Sequence, residues 1–158
     1  MKFAVDCMLG KLAKWLKILG FDTVFFSRIE DDELLELTVR EGRILLTRDT
    51  GFMEKAARRN AHTLFVESEE WPDQVRQVLS SFNLREKCRP YSRCIPCNAS
   101  LKDLSREKAR NLVSPFVFKK GKSFALCPIC GRIFWKGTHH EDMEKKLDKL
   151  LNQVDQDG

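Results

Sequence analysis

The sequence predicts an α/β protein: a doubly wound parallel sheet followed by a small cysteine-bearing module. Three observations predict it. Ile44-Leu45-Leu46 is an unbroken apolar run closed at once by Thr47-Arg48-Asp49, and continuous rather than alternating apolar residues mark a strand buried on both faces, as in a parallel sheet covered by helices. Strand-like and helix-like stretches alternate four times up to Phe82, the pattern of β-α-β units with right-handed crossovers. The composition then changes near Asn83, and Cys94-x-x-Cys97 and Cys127-x-x-Cys130 lie beyond that point.

Taken in order, Lys2 to Val5 is a short strand ending at Asp6. Apolar residues at 8, 9, 12, 16 and 19 with lysines at 11, 14 and 17 make an amphipathic helix over 8–19, closed by Gly20. Thr23 to Phe26, rich in β-branched and aromatic residues, is the second strand. Asp31 opens a helix through Glu41 that carries Leu34, Leu35 and Leu37 and stops at Gly42. The third strand is 43–47, a basic helix follows over 52–59, and 62–66 is the fourth strand. Trp71-Pro72 starts a last helix with Val75, Val78, Leu79 and Phe82 on one side. The strand order is second-first-third-fourth, which puts the topological switch point between the first and third strands. Functional crevices in such sheets lie beyond the carboxyl ends of the strands.

The domain division that follows is 1–84 for the sheet domain, 85–93 for a polar, basic linker, 94–146 for the cysteine module and 147–158 for a terminal helix and tail. Phe116-Val117-Phe118 and Phe124-Ala125-Leu126 read as the two arms of a hairpin, with Lys119, Lys120 and Lys122 in its turn. The chain of 158 residues is 42% hydrophobic and 32% charged, the balance of a soluble globular protein rather than a disordered one. A net charge of +5 suits a polyanionic partner. No apolar run reaches membrane-spanning length, and Asp6 interrupts the apolar start, so no membrane partner and a cytoplasmic location are expected. In that reducing compartment six cysteines are metal ligands or thiols before they are disulfides.

In this topology Asp6, Asp31 and Asp49 all fall at carboxyl ends of strands. Singly each has a bland use: Asp31 as a helix N-cap, Asp49 as a cap or turn residue, Asp6 as a strand terminus. Together they repel one another unless a cation joins them, and hard carboxylate oxygens suit Mg²⁺ or Mn²⁺. The first strand is followed by neither Gly-x-Gly-x-x-Gly nor Gly-x-x-x-x-Gly-Lys-Ser/Thr, so dinucleotide and P-loop sites are unsupported. A phospho-accepting receiver would show a second acid where Cys7 stands, and a lysine after a fifth strand.

Two Cys-x-x-Cys pairs predict one tetrahedral, structural Zn²⁺ held by Cys94, Cys97, Cys127 and Cys130. Asn98 and Gly131 directly after the pairs fit the left-handed turns of zinc knuckles. Cys7 and Cys88 remain as ordinary thiols, and His139 and His140 go to polar packing or phosphate contact. Lys11, Lys14, Lys17, Lys102, Arg106, Lys108, Arg110, Lys119, Lys120 and Lys122 are either a solvated face or a track for phosphates. Phe134 and Trp135 fit two uses, stacking on unpaired bases or filling the module's own core.

Asp6-x-Met8-Leu9-Gly10-Lys11-Leu12-Ala13-x-Trp15-Leu16-Lys17-x-Leu19-Gly20, then Asp31 before Leu34-Leu35, then Leu46-Thr47-Arg48-Asp49, resemble a family of PIN-like ribonuclease domains. The family is named for the C-terminal domain of the mutator exonuclease Mut-seven. The resemblance continues through Cys94-x-x-Cys97-Asn98 and Cys127-Pro128-x-Cys130-Gly131 to Phe134-Trp135-x-Gly137-x-His139. It implies a PIN-type fold with a zinc ribbon, and RNA cleavage assisted by carboxylate-held Mg²⁺ or Mn²⁺. Asp6, Asp31 and Asp49 match the acidic positions, with Asp32 the substitute for Asp31, and Thr47 matches the accompanying hydroxyl. The sequence reading is thus a metal-dependent ribonuclease of single-stranded or loop RNA, with Lys11, Lys14, Arg48, Lys119, Lys120, Lys122 and Trp135 as RNA contacts. Its rivals are a non-catalytic protein docking on structured RNA or the ribosome, and a phosphotransfer domain. Oligomeric state is left open.

Overall fold

The computed structural model describes residues 1–157; of residues 138, 139 and 154–157 it describes the backbone alone. The chain divides into two compact units, Met1–Tyr91 and Ser92–Gly158.

The first unit runs β1 (Lys2–Val5), α1 (Gly10–Ile18), β2 (Asp22–Phe25), α2 (Asp31–Glu41), β3 (Ile44–Thr47), α3 (Thr50–Arg58), β4 (Thr63–Phe65) and α4 (Trp71–Ser81). Its sheet has the order β2-β1-β3-β4, parallel throughout, as the alternation of elements predicts. Phe3, Ala4, Val5, Leu45 and Leu46 of the two central strands are fully buried, because helices cover both faces of the sheet there. On one face Ala4 and Leu45 pack with Leu34 and Leu35 of α2 and with Phe52 and Ala56 of α3. On the other, α1 lies on β2 and beside α4, where Trp15 and Trp71 stack with ring centroids 4.5 Å apart and planes 3° from parallel. Each such buried leucine or phenylalanine is worth about 1.5–3 kcal/mol.

The element ends differ from the sequence reading by a residue or two, and one difference matters to the site. The first helix does not begin at Met8. Cys7–Leu9 form a separate 3-10 turn in which Met8 is exposed, and the α-helix starts at Gly10. Gly10 lets the turn pass close to the Phe25 ring, which a Cβ at that position would approach to 3.1 Å. Gly42, at φ 63°, ends α2 in the left-handed conformation that favours glycine.

Arg43, read as the first residue of the third strand, precedes it and is buried. Its guanidinium donates to the Phe3 carbonyl at 3.2 Å, Asp22 Oδ1 at 2.7 Å and Glu41 Oε2 at 2.6 Å. It thereby fastens β1 to the start of β2 and the end of α2 at the amino edge of the sheet. Within the stretch read as a linker, Arg85–Lys87 form a 3-10 turn, and Arg89 and Tyr91 donate their N–H groups to the Leu19 and Ile18 carbonyls.

The second unit contains β5 (Lys102–Leu104), α5 (Arg106–Ala109), α6 (Pro115–Lys120), β6 (Phe124–Leu126), β7 (Ile133–Trp135) and α7 (Thr138–Asp157). Its sheet is antiparallel in the order β5-β6-β7. The hairpin expected over 116–126 is corrected. Phe116-Val117-Phe118 is helical because Ser114 caps the segment, accepting from the Val117 N–H at 3.3 Å, and Pro115 sets its first turn. Phe118 then stacks on Phe124, and the Arg106 guanidinium lies 4.3 Å from its ring centroid. The true hairpin is β6–β7, and the second Cys-x-x-Cys is its turn. Lys119 and Lys120 therefore end a helix rather than fill a hairpin turn. The terminal helix likewise begins at Thr138, well before Leu147.

Candidate active site and metal centre

At the carboxyl edge of the parallel sheet, Asp6 follows β1 and Thr47 ends β3, the two strands at the switch point. Asp6 is buried and both its carboxylate oxygens are fixed. Oδ1 accepts from the Cys7 N–H at 2.7 Å, and Oδ2 accepts from the Thr47 hydroxyl at 2.6 Å. Thr47 Oγ1 in turn accepts from the Asp49 N–H at 3.0 Å. Asp49 caps α3, its Oδ1 accepting from the Phe52 N–H at 3.0 Å, so its capping use is real.

Asp31 is not the N-cap that its position in the sequence invites. Glu30 holds that place, and Asp31 is the first residue of α2. Burial raises the Asp31 carboxyl above its ordinary value, and the negative charges of Asp6 and Asp49 raise it further, against an opposing pull from Lys55. Asp6, Asp31 and Asp49 thus share one electrostatic neighbourhood. Asp32 is turned to another use, an exposed ion pair with Lys55 at 2.6 Å. Lys55 is not among the residues the sequence marks for this site, and Cys7 is read there only as an ordinary thiol. Lys55 lies one helical turn from the core residue Phe52, on the side of α3 that meets α2, a signal available in the periodicity. Cys7 is exposed next to Asp6; burial raises its thiol, and the charges of Asp6 and Asp31 add to that.

Lys11, Lys14, Lys119 and Lys120 are exposed. Lys17 is not: it is buried in α1 and leaves the solvated set. Arg48 donates to the Val66 and Glu67 carbonyls and pairs with Glu69 at 3.7 Å, holding the loop after β4. Lys122 pairs with Glu141 at 2.9 Å. Trp135 is half-buried and lies over Gly137, where a Cβ would fall 2.2 Å from its ring.

In the second unit the sulfurs of Cys94, Cys97, Cys127 and Cys130 all lie within 4.8 Å of one another. Two matching turns bring them together. Asn98 at φ 60° returns its N–H to the Cys94 carbonyl, and Gly131 at φ 73° does the same to Cys127, at 2.8 and 3.0 Å. The Cys94 and Cys130 sulfurs are 3.8 Å apart, far beyond the ~2.05 Å of a disulfide. That is the edge, about 3.8 Å, of a tetrahedron whose centre is ~2.3 Å from each sulfur, the Zn–S distance. The Arg132 backbone N–H, the leading cause, lowers the Cys130 thiol to about 6, while hydrogen bonding to Cys130 pushes Cys97 up to about 12. Four thiols so placed ionise together only around a cation, and the cluster fits a metal such as zinc. His140 sits apart from it, its Nδ1 3.2 Å from Glu144 Oε1; the His139 side chain lies outside the described residues.

Among the described residues no helix is long and apolar enough to cross a membrane. No curated protein and no solved structure matches the chain. The family description Mut7-C RNAse domain matches residues 1–147, which takes in the parallel sheet, its acidic edge and all four cysteines. The chain belongs to the Mut7-C RNAse domain family.

Proposed function

We infer from membership of an RNAse-domain family that the protein has a ribonuclease-type function and an RNA substrate. We propose that the protein is a Mg²⁺- or Mn²⁺-dependent ribonuclease of single-stranded or loop RNA, with a PIN-like acidic site and a structural Zn²⁺ on Cys94, Cys97, Cys127 and Cys130. The observation that carries the proposal is the Asp31 carboxyl at the edge of a parallel sheet, raised first by burial and then by the charges of Asp6 and Asp49. Three acids from distant chain positions, two of which raise the carboxyl of the third, fit a hard cation. Asp6, Asp31 and Asp49 would hold it. When bound, such an ion activates water and neutralises charge developing on a phosphoryl group.

The chain's own residues supply the preorganisation. The Thr47 hydroxyl and the Cys7 N–H leave the Asp6 carboxylate one orientation. The Phe52 N–H does the same for one oxygen of Asp49. Lys55 and Asp32 form a neighbouring pair that keeps a positive charge beside Asp31. Lys11, Lys14, Lys119 and Lys120 are exposed cations that can hold phosphates, and Trp135 offers a partly exposed ring.

A second reading has its own support. Among the described residues the ligand atoms of the four cysteines converge within 4.8 Å, which also suits a structural metal module on a non-catalytic protein that docks on structured RNA or the ribosome. Purified protein on labelled RNA decides between them. Cleavage that needs Mn²⁺ or Mg²⁺ and disappears in Asp49→Asn supports the nuclease; metal-independent binding with no cleavage of any RNA supports the rival.

A further inference from the structure

The charge of this protein is segregated along the chain. Residues 1–91 hold fifteen Lys and Arg against fifteen Asp and Glu, a net charge of zero. Residues 92–137 hold ten against two, a net charge of +8 over 46 residues. The remaining residues, 138–158, return three units of negative charge. An excess of this size confined to one short segment is the electrostatic footprint of a polyanion site, and the acidic site lies in the neutral unit.

Within the basic segment the structure has a groove of about 690 Å³ between β5 and α5. This is a volume of the size that takes a small ligand. Lys102 on the edge strand and Lys108 on α5 stand on it, together with Asn111, and all three are exposed. Leu104, Leu112 and Leu126 supply an apolar surface between them, with Leu112 58% exposed. Asp103 is the one acid at the groove. β5 is an outer strand of the β5-β6-β7 sheet, so its far side also offers backbone donors and acceptors. Unlike Lys122, which pairs with Glu141, neither Lys102 nor Lys108 takes part in an ion pair among the described residues.

We infer that the β5–α5 groove of the zinc-bearing unit is a nucleotide-binding site for one unpaired residue of an RNA strand, with the base on the leucines and the flanking phosphates on Lys102 and Lys108. A base presents an apolar face and a hydrogen-bonding edge, which match the leucines and the Asn111 amide. A strand carries one phosphate on either side of each nucleotide, which matches two cations set on different elements. A peptide strand added to β5 would meet the same edge, but the +8 segment favours the polyanion.

The site does not require catalysis, and its test is binding to the full-length, zinc-loaded Asp49→Asn chain, with labelled single-stranded RNA followed by anisotropy over a range of salt. Lys102→Ala/Lys108→Ala is expected to weaken binding and to flatten the plot of log K against log salt by about 1.4, two single-strand phosphate contacts. Leu112→Ser is expected to weaken binding with the slope unchanged, and the single-strand advantage over duplex should shrink. Both sets of residues are exposed, and unchanged zinc content certifies the fold of each variant. Wild-type affinity and slope in the double lysine variant overturn the inference, as does capture of a basic-edge-binding acidic peptide in place of RNA. Absence of cleavage by the unmutated chain would strike the nuclease reading alone; intact cleavage with unaltered RNA affinity in the lysine variant would strike this inference alone.

Discussion

Replacing Thr47 by valine removes one hydroxyl and almost no volume, so its effect isolates the polar link at the switch point. That hydroxyl donates to Asp6 Oδ2 at 2.6 Å and accepts from the Asp49 N–H at 3.0 Å, and Thr47 and Asp6 are both buried. Losing a hydrogen bond to a charged acceptor costs about 1.5–3 kcal/mol, and orphaning the N–H costs about 1 kcal/mol more where water reaches it. The methyl that takes the hydroxyl's place returns about 0.8 kcal/mol. The net is a loss of about 2–3 kcal/mol, or a fall in Tm of about 10–20 °C for a unit of this size. The stacked Trp15–Trp71 pair in the same unit gives a local reporter through its exciton signal in circular dichroism. Thr47→Ser keeps both hydrogen bonds and should lose only a methyl, about 1 kcal/mol. Assayed below both melting temperatures, Thr47→Val should also cleave RNA more slowly and Thr47→Ser near the normal rate. A valine variant within about 0.5 kcal/mol of the unmutated protein, the range of an ordinary surface change, would refute the claim that the hydroxyl organises this edge.

Cys94→Ser should abolish binding of one metal equivalent and unfold residues beyond about 90 while leaving the Trp15–Trp71 signal, because metal binding supplies roughly 10–16 kcal/mol to modules of this kind; elemental analysis and limited proteolysis read the outcome. Arg43→Met should destabilise the first unit by about 2–4 kcal/mol, since it removes the buried guanidinium that donates to Phe3, Asp22 and Glu41, yet leave cleavage at low temperature unchanged because Arg43 lies at the opposite edge of the sheet from Asp6. Asp31 has a folded-state pKa above its ordinary value. The stability it contributes by holding a proton is therefore full below the unfolded value and is lost as pH rises through the folded one. A divalent cation competes with that proton, so the rise in Tm on adding Mn²⁺ should be present at neutral pH, fade as pH falls through the raised value, and be lost in Asp31→Asn at every pH.

Much of the fold was legible because the pattern and the physics agreed. The unbroken apolar run at 44–46 could only be a doubly covered strand, and right-handed crossovers then left one strand order, which the sheet adopts. The second unit was legible at its cysteines and illegible between them. Phe116-Val117-Phe118 has the composition of a strand, but Ser114-Pro115 is a helix start, and in a module with so little core the local cap decided. At the site, Thr47 entered through the family resemblance, and the place of Asp6 at the end of the first strand followed from the topology. That Glu30 rather than Asp31 precedes the helix did not, since four consecutive acids from Glu30 to Glu33 leave the register unmarked in the sequence. Arg48 and Lys122 read as free cations because a sequence does not show which acids and carbonyls will stand beside them.

An acidic edge is a poor place to gather a polyanion. The charges of Asp6 and Asp49 raise the Asp31 carboxyl beyond what burial does, and before any cation joins them the three acids oppose a phosphate too. The unit that carries them has no net charge with which to offset this. The larger part of the attraction for RNA is then expected from residues 92–137, which hold the whole of the surplus, with Lys11 and Lys14 adding to it locally. On this division of labour the two units answer to different measurements. Neutralising Lys102 and Lys108 removes attraction felt equally by bound substrate and transition state, so it should raise KM and its salt dependence while leaving kcat in place. Asp49→Asn should do the reverse, with RNA held as tightly or more so and turnover gone. If the lysine changes lowered kcat at saturating RNA, the basic unit would be acting on the reacting phosphate itself, and the separation of binding from chemistry would be wrong.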